Sequence, residues 1–195
     1  NAAKAAYQID VSQKNLLFVG QIRDVKNIPM ILETLKALVL VDKSYHLYLV
    51  GEGPDKEKYE KWIAQNTLTN HVHFLGKIVD RGVLAGVYGA CDLFFFPSSY
   101  DNAPIVVREA CVMQTPTLLS ADSVAAEPFT DGVNGYTAQE NVTEMKDKIL
   151  QIFQNPEQMK TVGRAAQEIP ISFAQMVDKT LDRYDFLIKR YKDSH

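Results

Sequence analysis

The sequence predicts an α/β domain: a six-stranded parallel sheet with helices on both faces, followed by one long helix. Three observations carry this. Short apolar runs recur along the chain, the clearest being Leu16-Leu17-Phe18-Val19-Gly20 and Leu93-Phe94-Phe95-Phe96. Between such runs lie segments whose apolar residues repeat at helical spacing. The alternation continues to about Thr143, and strands alternating with helices imply parallel pairing under covering helices.

Each element has its own warrant. Leu16 to Gly20 reads as a buried first strand. In residues 28–41, Ile28, Ile31, Leu32, Leu35 and Leu38 form one helical face. Tyr45-His46-Leu47-Tyr48-Leu49-Val50 is a second strand, stopped by Gly51-Glu52-Gly53-Pro54. Residues 55–66 are charged and helical. His71-Val72-His73-Phe74-Leu75 is a third strand, ended by Gly76, and a short helix covers residues 81–90. The run at Leu93 is the fourth strand, and a helix follows over residues 104–113. Thr117-Leu118-Leu119-Ser120 is a fifth strand and Asn134-Gly135-Tyr136-Thr137 a short sixth. From Thr143 onward the chain reads as helix only. Pro170 breaks it, Ser172 suits an N-cap, and Phe173, Met176, Val177, Leu181, Tyr184, Ile188 and Tyr191 then keep one apolar stripe. The expected organisation is a lead-in or linker over residues 1–14, a Rossmann-like domain over 15–170 and the final helix over 171–195.

Bulk properties narrow the function. The chain has 195 residues, 46% of them apolar, enough for a substantial core. Its net charge is −3, from 21 bases and 24 acids, which argues against general nucleic-acid binding. Cys91 and Cys111 sit in apolar runs and read as buried free thiols. No run is suited to span a membrane and no signal peptide opens the chain, so the cytoplasm is the expected compartment. His71 and His73 share a strand face, but no third metal ligand lies within sequence reach.

In a parallel sheet, ligands bind at the carboxyl ends of the strands. After the first strand stand Gly20, which permits close backbone approach, and Lys26, which could neutralise a phosphate or be a solvated lysine at a helix start. After the third stand Gly76, Lys77 and Ile78, whose backbone could meet a flat base. After the fourth come Asp101 and, eight positions on, Glu109. Eight residues of helix span roughly 12 Å, enough to set a carboxylate at each end of a nucleotide-sugar with its diphosphate at the helix N-terminus. The plainer alternative makes Asp101 a helix cap and Glu109 a surface residue.

The ordered series Phe18-Val19-Gly20 with Lys26-Asn27, Leu49-Val50-Gly51-Glu52-Gly53-Pro54, Val72-His73-Phe74-Leu75-Gly76, Phe96-Pro97-Ser98, Glu109-Ala110, Thr115-Pro116 and Asp131-Gly132-Val133-Asn134-Gly135 resembles the family 4 retaining glycosyltransferases. The match covers about residues 15–190 and only the C-terminal, donor-binding half of their GT-B fold. The resemblance implies transfer of a sugar from a UDP- or GDP-sugar to an acceptor hydroxyl. It implies that Glu109 holds the ribose, Asp101 the donor sugar and Lys26 the diphosphate, a charge to which Arg23 would add if it turned inward. Backbone N–H groups near Ala103, Ile105 and Val106 would join them, and Gly76, Lys77 and Ile78 would border the base. It implies no metal or other cofactor. A saccharide or lipid-linked acceptor would be bound through an N-terminal half, with a peripheral station at the inner membrane face open to the full-length protein. It also implies that the final helix packs back toward that half and that the fragment alone does not turn over. Two rival readings are a non-catalytic nucleotide-binding domain and another GT-B enzyme such as a nucleotide-sugar epimerase.

Four departures from the family pattern stand out. Gln21 replaces the usual arginine, so one diphosphate-binding charge is lost unless Arg23 turns inward. Asp101 replaces the usual glutamate, no glycine follows it closely, and Gln114 stands where a glycine often precedes Thr-Pro.

Overall fold

The computed structural model describes residues 9–101 and 103–169, with Tyr7 and Arg190. The long helix expected over residues 171–195 lies, Arg190 apart, outside them. Six strands, β1 (Lys14–Val19), β2 (Tyr45–Val50), β3 (Val72–Gly76), β4 (Leu93–Phe96), β5 (Thr117–Ser120) and β6 (Tyr136–Ala138), form one sheet in the order β3-β2-β1-β4-β5-β6. Every neighbouring pair is parallel. The helices are α1 (Ile28–Val41), α2 (Lys56–Gln65), α3 (Arg81–Tyr88), α4 (Ile105–Val112), α5 (Val142–Phe153) and α6 (Pro156–Ala165).

The central strands carry near-continuous apolar runs because both faces are covered. Leu16, Leu17, Phe18, Leu47 and Leu49 have no exposed surface. Leu17 pairs with Tyr48 on one side and Phe94 on the other, so these three share a face. On it Tyr88 of α3 meets Phe94 edge-on at 5.6 Å. Tyr45, out of phase with Tyr48, meets Phe153 of α5 edge-on at 5.3 Å on the opposite face. The lead-in joins the same core through Ile9, only 5% exposed. Cys91 and Cys111 are buried and unpaired, and burial pushes the Cys111 thiol up to about 11.

Two differences from the sequence reading have clear causes. The helical tail after Thr143 is two helices, not one. Asn141 opens α5 by accepting from the Glu144 N–H at 2.9 Å. Asn155 then opens α6 by accepting from the Gln158 N–H at 3.1 Å, with Pro156 in the first turn. An Asn-Pro pair stops one helix and starts the next. The sixth strand begins at Tyr136 because Asn134 serves a turn, where its Oδ1 accepts from the Thr130 N–H at 2.7 Å.

The carboxyl ends of β1, β2 and β3 are drawn tightly together. The Gly20 N–H donates to the Val50 carbonyl at 3.0 Å, and the Gly51 N–H to the Gly76 carbonyl at 2.8 Å. Gly51 has φ +138°, and a Cβ there would lie 1.9 Å from the Gly20 carbonyl oxygen. Only glycine fits this contact, which sets the loops after β1 and β2 side by side at one end of the sheet.

Candidate functional site

The strand order reverses between β1 and β4, and that is where an open α/β sheet has a crevice beyond its carboxyl ends. The chain leaves β1 through a 3-10 turn, Asp24–Lys26, and enters α1 through Asn27 in the left-handed conformation at φ +59°. The Asn27 amide donates to the Pro97 carbonyl at 3.2 Å and to Glu140 Oε1 at 2.9 Å. This one side chain therefore ties the β1 loop to the loops after β4 and β6, and it aims the preceding residue across the crevice.

That residue is Lys26. Its Nζ donates to Asp101 Oδ1 at 2.5 Å, while Ser98 Oγ donates to Asp101 Oδ2 at 2.7 Å. Both oxygens of the carboxylate are thus held. The Lys26 and Asp101 side chains are 17% and 19% exposed, so their pairing is shielded from bulk water. The Lys26 ammonium also lies 5.8 Å from the Tyr100 ring centroid. Asp101 is not the cap of α4. Pro104 holds that position and makes no side-chain bond, and the first turn carries no acid. The N–H groups of Ile105 and Val106 precede the first helical donor, Val107, which bonds the Pro104 carbonyl at 3.2 Å. They are the orphan donors that favour an anion. Ala103 and Ile105 are exposed and Val106 is half-buried.

Glu109 lies two turns into α4 with partners of its own. Arg81, the first residue of α3, donates to Glu109 Oε1 at 2.5 Å. The Tyr88 hydroxyl stands 3.2 Å from Glu109 Oε2 and 3.1 Å from the Val106 carbonyl oxygen. Burial, with the Glu109 charge second, drives the Tyr88 phenol well above its usual range and keeps it a donor. Gly76 (φ +69°), Lys77 and Ile78 lead from β3 toward the Asp80 cap of α3, so the Arg81–Glu109 pair joins that segment to α4.

Gln21, Arg23, Asp24, Val25, Lys26, Asp55 and Tyr100 line a cleft of about 430 Å³ at the mouth of the crevice. Arg23 is exposed in its wall, with no ion-pair partner among the described residues. Asp24 is neutralised by Lys58 at 2.7 Å and accepts a hydrogen bond from the Tyr59 hydroxyl, and the Lys58 bond is the main reason its carboxyl titrates low.

The structure therefore joins Lys26 directly to Asp101, sets Arg23 in the same cleft, and holds Glu109 on a separate pair of partners. Sequence reasoning missed Asn27, Ser98, Arg81 and Tyr88. Asn27 and Ser98 had a usable signal, since each follows a strand end within a motif. Tyr88 had none, because an aromatic at helical spacing reads as core. His46 Nδ1 and His73 Nε2 lie 3.0 Å apart and bond each other. Among the described residues no group of three or more His, Cys, Asp or Glu could hold a metal ion.

A family model described as glycosyl transferases group 1 matches residues 1–169. The chain belongs to this family. An uncharacterized glycosyltransferase of Methanocaldococcus jannaschii is 28% identical over 160 residues, which is 81% of this chain and 43% of that protein. The alpha-monoglucosyldiacylglycerol synthase of Acholeplasma laidlawii is 27% identical over 77% of this chain and 37% of its own length. The chain thus spans less than half the length of these relatives. Among solved structures, HepE of Anabaena in complex with UDP superimposes with a TM-score of 0.79 at 21% identity, over 93% of this chain and 52% of that one. The C-terminal domain of a group 1 glycosyl transferase from Francisella tularensis superimposes with a TM-score of 0.74 at 18% identity, over 86% of this chain and 89% of that one. These neighbours show that this group 1 glycosyltransferase domain has the Rossmann-like fold of GT-B enzymes. Among the described residues no helix is long and apolar enough to cross a membrane.

Proposed function

We propose that this chain is the nucleotide-sugar-binding half of a retaining, family 4 hexosyltransferase. One observation carries the reading: Lys26 and Asp101, from the ends of β1 and β4, meet beside the uncapped N-terminus of α4, with Glu109 further along the same helix. The arrangement offers a cation and free N–H groups to a diphosphate, one acid to sugar hydroxyls and a second acid to a ribose. Transfer breaks the bond between the anomeric carbon and the diphosphate oxygen and forms one to the acceptor oxygen, whose proton passes to the departing diphosphate, on which negative charge grows. Lys26, Arg23 and the α4 N–H groups would stabilise that charge. Asp101 would orient the sugar, a positioning contribution. Gly76, Lys77 and Ile78 would border the base.

UDP is the favoured nucleotide, with GDP second, because a structural neighbour was solved with UDP. The acceptor, a saccharide or lipid-linked hydroxyl, would be bound across the crevice by the N-terminal half of a longer chain. The Acholeplasma relative, whose name describes synthesis of a glycolipid, supports a lipid-linked acceptor, and a station in the cytoplasm, peripheral to the inner membrane face, belongs to this proposal. The isolated chain would then bind donor without turning over. Gln21 at the cleft wall, where an arginine would add charge, favours a second reading: a nucleotide-binding domain without catalysis.

A thermal-shift titration with UDP, GDP and ADP, and with UDP- and GDP-sugars, tests the first reading on wild type and Lys26→Ala. Ligand at a hundred times its dissociation constant stabilises by about 2.7 kcal/mol. The expected result is a shift with one nucleotide that the variant loses. No shift with any of them overturns donor binding. Binding without transfer when the chain is supplied with an N-terminal half would favour the second reading.

A further inference from the structure

We propose that Tyr88 is a positioning residue, which holds Glu109 Oε2 so that Oε1 is turned toward a ribose. This rests on the donor-binding reading above and adds to it a residue outside the strand-end loops. Tyr88 is only 1% exposed, at the C-terminal end of α3. Its ring is fixed edge-on against Phe94 at 5.6 Å, and its carbonyl accepts from the buried Thr115 hydroxyl at 2.9 Å. A side chain so constrained holds its hydroxyl in one place. The hydroxyl has one proton and two acceptors in reach, Glu109 Oε2 at 3.2 Å and the Val106 carbonyl at 3.1 Å, so it bridges the carboxylate to the first turn of its own helix.

The two partners of Glu109 differ in durability. The Arg81 side chain is 77% exposed, against 21% for Glu109. An exposed arginine pays side-chain entropy to hold one geometry and is screened by salt. Tyr88 pays neither cost. A ribose diol arriving at Glu109 therefore displaces Arg81 from Oε1, while Tyr88 keeps Oε2 and with it the plane of the carboxylate. The same contact links Thr115 to the ribose acid through Tyr88.

The test is Tyr88→Phe in the full chain, which keeps the ring and removes only the hydroxyl. Calorimetric titration would follow UDP, 2′-deoxy-UDP and inorganic pyrophosphate on wild type, Tyr88→Phe, Glu109→Gln and the double variant, with GDP and 2′-deoxy-GDP used where the guanine nucleotide binds instead. Tyr88→Phe should weaken UDP about tenfold and leave pyrophosphate unchanged. It should also shrink the preference for UDP over its deoxy analogue, a discrimination that loss of general packing does not touch. The double variant should be no weaker than Glu109→Gln alone. Unchanged UDP affinity in Tyr88→Phe, or an equal loss for UDP and pyrophosphate, overturns the positioning role while donor binding stands. Wild-type chain that binds pyrophosphate but not UDP or GDP removes the ribose reading of Glu109, and this proposal with it.

Discussion

Replacing Gln114 by glycine should stabilise the domain. Gln114 follows α4 with φ +59°, the left-handed region. Its N–H donates to the Cys111 carbonyl at 3.0 Å and the Thr115 N–H to the Ala110 carbonyl at 3.0 Å. These are the paired bonds of a Schellman motif, which favours glycine at this position. Left-handed backbone costs a residue with a Cβ about 1–2 kcal/mol, and glycine gives back about 0.5–1 kcal/mol through its freer unfolded chain. The net gain is about 0.5–1 kcal/mol, or a rise of about 1–4 °C in Tm for a domain of this size. The Gln114 side chain is exposed, so its loss should cost little. The contact that must survive is with its carbonyl oxygen, which would sit 2.2 Å from a Cβ placed on Gly163 of α6. Urea unfolding should show a higher midpoint at unchanged m-value. Gln114→Ala keeps the Cβ and should show no gain. A glycine variant at or below wild-type stability, or an alanine variant that matches it, would refute the reasoning.

Three further outcomes follow from other parts of the molecule. Asp101→Asn removes the charge that Lys26 donates to at 2.5 Å; stability should fall by about 1.5–3 kcal/mol, while pyrophosphate and UDP bind several-fold tighter in calorimetry because the ammonium is no longer shared, and no change in either quantity would mean the pair contributes nothing. Burial, aided by the neighbouring imidazole charges, holds His46 and His73 below the ordinary 6.5, so the unfolded chain binds protons first and stability present above pH 6.5 is lost as the pH falls through that value. Denaturant unfolding from pH 8 to 5 should show this slope, flattened in His73→Gln, and a flat wild-type profile would sink it. Gly51→Ala puts a Cβ 1.9 Å from the Gly20 oxygen at φ +138° and should cost about 2–4 kcal/mol; a near-native circular-dichroism midpoint would show that the β1 and β2 loops part easily.

What could be read from the chain divides along a physical line. β1, β2, β4 and β5 were legible because strands buried on both faces are dominated by short apolar runs, and α1 because its apolar face repeats at helical spacing. The Asn155-Pro156 break was present in the letters, but helical composition on both sides of it hid the boundary. At the site, the strand-end positions singled out Lys26, Asp101 and Glu109 and the family resemblance supplied their expected roles, yet nothing local brings Lys26 to Asp101 across 75 positions. That contact exists because β4 lies beside β1, a matter of strand order. The Tyr88–Glu109 contact likewise depends on how α3 and α4 lie against each other, and helical periodicity assigns Tyr88 to the core, where most of it is. The departure at Gln114 was visible in the sequence, but its meaning needed the backbone angle.

Both acids of the site are already held by cations of their own chain, Asp101 by Lys26 and Glu109 by Arg81, each with a hydroxyl on the second oxygen. A donor would therefore exchange partners at both ends. At the β1–β4 crevice the ammonium passes from a carboxylate to a diphosphate of higher charge, and the carboxylate passes to a neutral sugar hydroxyl. The first swap gains Coulomb energy and the second loses it, so the net gain is smaller than an unshared lysine would provide. Salt screens the attraction for phosphate, but it also weakens the internal pair that competes with it. Affinity should consequently depend less on ionic strength in wild type than in Asp101→Asn, where only the attraction for the ligand remains. A wild-type salt dependence as steep as the variant's would mean that Lys26 does not give up Asp101 when the diphosphate arrives, and the diphosphate would then have to be met by Arg23 and the α4 N–H groups.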